Sequence, residues 1–182
     1  MSRLIAMLRG VNVSGHRKIK MADLRQALTQ AGFKGVTTYI QSGNIILEEE
    51  EGKETVVENK LRSLIKKEFG HEVEVIVISP EYLQSIIDNN PFILDKPEED
   101  IKKLYITFLK QAPDDLSLDS LDRDKFLPDR YALDDRVIYI RFAEGAGKSK
   151  MNLKFFEGKL KVSGTSRNWR TVNKLLRMSQ EK

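Results

Sequence analysis

The residue types in this chain that could do chemistry are suited to holding negative charge, and they fall in three stretches. The first joins Arg9, Gly10, Asn12, Ser14 and Gly15 to a later turn, Gln41-Ser42-Gly43-Asn44. Glycines let a backbone approach a ligand and adopt positive φ, while an arginine, side-chain amides and turn N–H groups offer donors to an oxyanion. The same residues also populate ordinary turns. The second stretch is Phe142-Ala-Glu-Gly-Ala-Gly-Lys148-Ser149. It ends like a phosphate-cradling loop, but Phe142 stands where such a loop needs its first glycine. What remains is a glycine-rich turn with Lys148 beside it, still suited to touching a phosphate. The third is the C-terminal segment, where Arg167, Arg170, Lys174 and Arg177 recur at i, i+3, i+7 and i+10, one stripe of a helix. Arg167 and Asn168 are expected in its first turn, behind a Thr165-Ser166 cap. Cations there oppose the helix macrodipole unless an anion sits nearby. Arg170, Lys174 and Arg177 would suit sequence-neutral contact with nucleic-acid phosphates.

The elements that must position these residues can be read from apolar spacing. Leu4–Leu8 suits a buried strand, and Met21, Leu24, Ala27 and Leu28 recur at helical spacing. Val36–Ile40 and Ile45–Leu47 flank the Gln41–Asn44 turn as a hairpin. Val56 to Phe69 carries a second helical stripe ended by Gly70, Val73–Ile78 is a strand, and Ser79-Pro80 opens a third helix. The order then repeats: a strand at Leu104–Leu109, a short helix over Pro113–Leu121 and a hairpin around Asp134-Asp135. Helical spacing follows through Met151 and Phe156, then a short strand at Leu160–Val162 and the closing helix. The fold expected is α+β, two ferredoxin-like plaits of βαββαβα order over residues 1–90 and 101–182, linked by about 91–100. In each plait the third strand lies between the first two. The loop after Arg9 and the turn at Gln41–Asn44 then share one end of the first sheet.

Composition narrows the function classes. With 40% hydrophobic and 32% charged residues the chain reads as folded rather than disordered. No apolar run approaches the ~20 residues of a membrane span, so no membrane partner is expected. The absence of cysteine removes disulfides and thiolate metal sites and fits a reducing, cytoplasmic setting. His16 and His71 lie in separate segments and make no ligand set, so no metal site is expected. A net charge of +4 conceals a basic C-terminal segment after an acidic one. The strands expected at the first sheet's centre lack aromatics, and Glu48–Glu51 is acidic, which disfavours base stacking on the sheet.

Three motifs carry a resemblance: Arg9-Gly-Val-Asn-Val-Ser-Gly15, Thr38-Tyr-Ile-Gln-Ser-Gly-Asn44 and Ser166-Arg-Asn-Trp-Arg-Thr-Val-Asn-Lys-Leu175. In this order they resemble the RGVNVGG-, YLQSGN- and TRNWRTV-like segments of a bacterial family, domain of unknown function 1697. Ser14 replaces the usual glycine and Ile40 the usual leucine. The resemblance implies a duplicated plait and brings no activity, cofactor or catalytic residue with it. Some ferredoxin-like phosphatases hold phosphate in the first loop, with roles that Arg17 and Asn44 would take, although the spacing matches poorly. The expected function is binding of a small phosphate- or carboxylate-bearing ligand by Arg9, Asn12, Ser42 and Asn44, with Lys148, Arg167 and Asn168 in the second plait. The alternatives are an enzyme acting on a small phosphorylated metabolite and a nucleic-acid binder using Arg170, Lys174 and Arg177. Cofactor and oligomeric state are left open.

Overall fold

Strict alternation along β1 (Ser2–Leu8) sends Leu4, Ala6 and Leu8 to one face and Ile5 and Met7 to the other, and all five are buried. A computed structural model describes residues 2–49, 53–95 and 101–181 of the chain. After β1 come α1 (Met21–Gln30), β2 (Lys34–Tyr39), β3 (Asn44–Glu49), α2 (Glu54–Phe69), β4 (Val75–Ile78) and α3 (Pro80–Asp88). The sheet is antiparallel in the order β2-β3-β1-β4, with the third strand between the first two. Leu24 and Leu28 of α1 and Val57, Leu61 and Ile65 of α2 cluster with Leu4, Ala6, Leu8, Ile45, Leu47, Val75 and Val77 of the sheet. Each valine, leucine or isoleucine among them, fully buried, contributes about 1.5–3 kcal/mol before chain entropy is subtracted. Ser79 caps α3 as expected, its Oγ accepting the Tyr82 N–H at 3.1 Å.

A short α4 (Pro91–Asp95) follows, within the stretch expected as linker, whose remaining residues 96–100 lie outside the described residues, as do Glu50 and Glu51. α7 (Trp169–Gln180) follows a second sheet-and-helix layer built from β5 (Leu104–Leu109), α5 (Asp115–Asp119), β6 (Arg130–Asp134), β7 (Val137–Arg141), α6 (Leu153–Leu160) and β8 (Gly164–Asn168). Its order, β6-β7-β5-β8, is the same plait. Two expectations fail here. Leu160–Val162 is not a strand: Leu160 ends α6 and Lys161 turns left-handed behind it at φ 56°. Thr165-Ser166 does not cap the closing helix, because both lie in β8, which pairs Thr107 with Ser166 and Ile106 with Arg167. The strand was hidden by its polar sequence. Its hydroxyls find partners in the sheet, as between Thr107 Oγ1 and Ser166 Oγ at 2.6 Å. Gly164 lies where a Cβ would come within 2.7 Å of the Phe108 carbonyl oxygen.

The chain divides into two compact units, residues 1–84 with 174–182, and 85–173. Both protect the outer strand next to the first strand of the unit in the same way. An outer strand leaves N–H groups that invite another strand. On β4, Glu58 Oε1 accepts the Val77 N–H at 3.0 Å, and Glu54 Oε1 accepts the Ser79 N–H just beyond it at 3.1 Å. On β8, Glu157 Oε1 of α6 accepts the Gly164 N–H at 2.9 Å. Among the described residues no helix is long and apolar enough to cross a membrane.

Candidate anion-binding site

The antiparallel order makes β1 and β2 run the same way, so loop 9–20 and turn 40–43 leave one end of the first sheet. Main chain and side chain join them there. The Leu8 N–H donates to the Gly43 carbonyl at 2.8 Å. Asn12 Nδ2 donates to the carbonyls of Ile19 and Gln41, each at 2.8 Å, and its Oδ1 accepts the Ile19 N–H at 2.9 Å. One amide thus ties the start of the loop to its end and to the neighbouring turn. Asn44, wholly buried, donates through Nδ2 to the Tyr39 carbonyl at 3.0 Å and to Ser42 Oγ at 2.9 Å, closing the hairpin. Asn12, Ser42 and Asn44 therefore meet at one end, where their side chains brace the backbone.

That brace holds an unusual loop. Gly10, Asn12, Ser14, Gly15 and Arg17 all take positive φ, and so does Ile40 across the turn at φ 50°. For a β-branched residue such as Ile40 this is a strained conformation, sustained only when its surroundings over-determine it.

Arg9 leads from the loop to the next wall. Its N–H donates to the Glu74 carbonyl at 2.9 Å, and its guanidinium lies 3.6 Å from the Glu74 carboxylate. Here a cleft of about 620 Å³ opens among Arg17 of the loop, residues 72–74 and the outer face of α2. The helix presents Asn59, Arg62, Ser63 and Lys66 to it, at i, i+3, i+4 and i+7. Lys66 Nζ lies 2.6 Å from Glu72 Oε1, and that hydrogen bond, then the charges of Lys66 and Arg62, hold the Glu72 carboxyl below its ordinary value.

Arg17 and Arg62 complete the cleft. Among the described residues neither guanidinium has a hydrogen-bond or ion-pair partner. With Arg9 set against Glu74 and Lys66 against Glu72, these two charges are in surplus. The C-terminal end of α2 supplies roughly half a negative charge, too little to cancel them. Arg17 stands out in the sequence only through the phosphatase-like role, and nothing there joins it to Arg62. The helical periodicity legible in α2 is that of its apolar stripe, and the polar stripe beside it is of the kind that ordinarily faces solvent. Only the fold brings Arg17 against it.

The residues singled out toward the C-terminus are placed differently. Lys148 is exposed and ion-paired with Glu144 at 3.3 Å. The glycine-rich loop around it does hold an anion, but the anion is the chain's own. Asp129 accepts the Ala143 N–H at 2.7 Å through Oδ1 and the Ser149 hydroxyl at 2.5 Å through Oδ2. Arg167 is not in a helical first turn. It is 7% exposed within β8, where Nη1 donates to Thr165 Oγ1 at 2.7 Å and to the Ser166 carbonyl at 2.9 Å. Desolvation lowers its pKa to about 10, which leaves it charged at neutral pH. Asn168 is the true cap of α7, its Oδ1 accepting the Thr171 N–H at 2.8 Å. On α7 itself, Arg170 and Arg177 are exposed and Lys174 half-buried. No group of three or more His, Cys, Asp or Glu among the described residues is arranged to hold a metal ion.

These features define the class: an α+β protein of two ferredoxin-like plaits in succession. More particularly, the chain belongs to the family described as "Protein of unknown function (DUF1697)", whose model matches residues 1–139. The first two motifs lie inside that match and the third beyond it. Among solved structures, the conserved bacterial protein SP0830 from Streptococcus pneumoniae is similar over 98% of each chain, with a TM-score of 0.75 and 25% identity. No curated protein matches the sequence.

Proposed function

We propose that the protein binds a small phosphate- or carboxylate-bearing ligand at the loop end of its first unit. The observation that carries the reading is the surplus of Arg17 and Arg62 in a cleft beside the strained 9–20 loop. In this reading Asn12, Ser42 and Asn44 hold the loop in shape, Arg9 anchors it to residue 74, and the unengaged guanidinia meet the ligand. Arginine suits that role because its planar fork matches the two oxygens of a carboxylate or phosphate. A preformed loop also lowers the ordering cost of binding.

The test is a heteronuclear NMR titration of the labelled chain with inorganic phosphate at constant ionic strength. Saturable shifts confined to amides of residues 9–20, 59–66 and 72–74 are the expected result. Shifts that are absent, or spread over every basic segment alike, would overturn the reading.

A further inference from the structure

The lining of the cleft carries information beyond its charge. Its volume of about 620 Å³ is far more than a lone phosphate fills and falls within the ordinary range for small-molecule sites. Among the described residues that line it none is aromatic, and Val73 is the one aliphatic side chain. A nucleobase would find neither a stacking face nor an apolar slot, and stacking on aromatic side chains is the usual means of holding one. Among the cations stand two carboxylates, Glu72 held by Lys66 and Glu74 by Arg9, with Asn59 and Ser63 adding short polar groups. An ionised carboxylate only accepts hydrogen bonds, so the oxygens left over by Lys66 and Arg9 call for donors rather than for a second anionic group. The hydrogen bond from Lys66 holds the Glu72 carboxyl below its ordinary value.

Resting on the anion-binding reading above, we infer that the ligand is a phosphate ester of a polyhydroxylated compound, a sugar phosphate, with its phosphate toward Arg17 and Arg62 and its hydroxyls toward Glu72 and Glu74. The two kinds of group in the cleft then have separate tasks. The guanidinia hold charge, and the carboxylates, with Asn59 and Ser63, read the hydroxyl-bearing body. Neutral sugars lack the first contact, inorganic phosphate lacks the second, and a nucleoside monophosphate carries a base that the lining does not serve.

Calorimetric titration of the full chain with glucose 6-phosphate, inorganic phosphate, glucose, phosphoethanolamine and AMP at fixed ionic strength tests this. A hydrogen bond to a charged group is strong enough that glucose 6-phosphate should bind at least about tenfold more tightly than phosphate. Glucose should not register, and AMP should gain nothing over phosphate. The Glu72→Gln/Glu74→Gln variant should narrow the gap from both sides, raising phosphate affinity by removing repulsion and lowering that of the sugar phosphate. Phosphate binding as tightly as glucose 6-phosphate would overturn the sugar assignment and leave the anion site standing. AMP binding more tightly would overturn the assignment in favour of a nucleotide, and phosphoethanolamine binding more tightly in favour of an amine. No binding by any of the phosphates would overturn both readings together.

Discussion

Replacing Gly43 by alanine should damage the junction that shapes the proposed site, and the structure separates two contributions. Gly43 takes φ 77°, where an L side chain crowds the following carbonyl, at a cost of about 1–2 kcal/mol. A Cβ there would also lie 2.7 Å from Val11 Cγ2 and 2.8 Å from Leu8 Cβ. Leu8 and Val11 are buried, and the first atom met on Leu8 is its own Cβ, fixed to the strand, so the contact is relieved only by moving backbone. Overpacking of that kind costs about 1–3 kcal/mol more. Gly32→Ala is the matched control, since Gly32 has φ 95° with nothing within 4 Å of the added carbon. Urea unfolding followed by circular dichroism should show Gly43→Ala losing about 1–3 kcal/mol more than Gly32→Ala. Equal losses in the two variants would refute the argument that turn 40–43 is packed hard against the loop.

Two further outcomes follow from single contacts. Glu58→Ala leaves the Val77 N–H of β4 without its acceptor in a buried position and should cost about 1–3 kcal/mol in the same assay, whereas Glu58→Gln, which keeps an oxygen there, should lose clearly less. The Glu72 carboxyl, depressed chiefly by its hydrogen bond to Lys66, should titrate below 4.5 by NMR. In Lys66→Ala its midpoint should rise. Because a depressed carboxyl favours the fold only while ionised, the contribution of this pair is present above the ordinary carboxyl pKa and is lost as the pH falls through the lowered one.

How much of this was legible in the residues depended on where hydrophobicity reported the backbone. In the first unit apolar spacing agrees with the burial of β1, β3, β4, α1 and α2, while β2, none of whose residues is buried and which ends at Tyr39 before the exposed Ile40, was placed by its β-rich residues and the turn that follows. The same signal failed at β8, where Thr165, Ser166 and Arg167 satisfy a polar strand through hydrogen bonds that only the neighbouring strand reveals. Helix caps look the same in sequence whether the oxygen belongs to Ser166 or to Asn168; the strand pairing decides it. For the site, Asn12, Ser42 and Asn44 announced themselves as residue types, but the bonds of Asn12 and Asn44 run to the main chain and, from Asn44, to Ser42. The cations left over, Arg17 and Arg62, are remote in sequence and ordinary in context. Their meeting in one cleft is a property of the fold.

The central claim is that the first unit's cleft, and not the basic face of α7, receives the anion. Calorimetry with pyrophosphate decides this most directly, comparing the natural chain with Arg17→Ala/Arg62→Ala and with Arg170→Ala/Lys174→Ala. Loss of at least about tenfold in affinity in the first variant, with the second binding like the natural chain, is the predicted result. Loss in the second variant with retention in the first, especially with a steep dependence on salt, would contradict the account and move the site to the C-terminal helix.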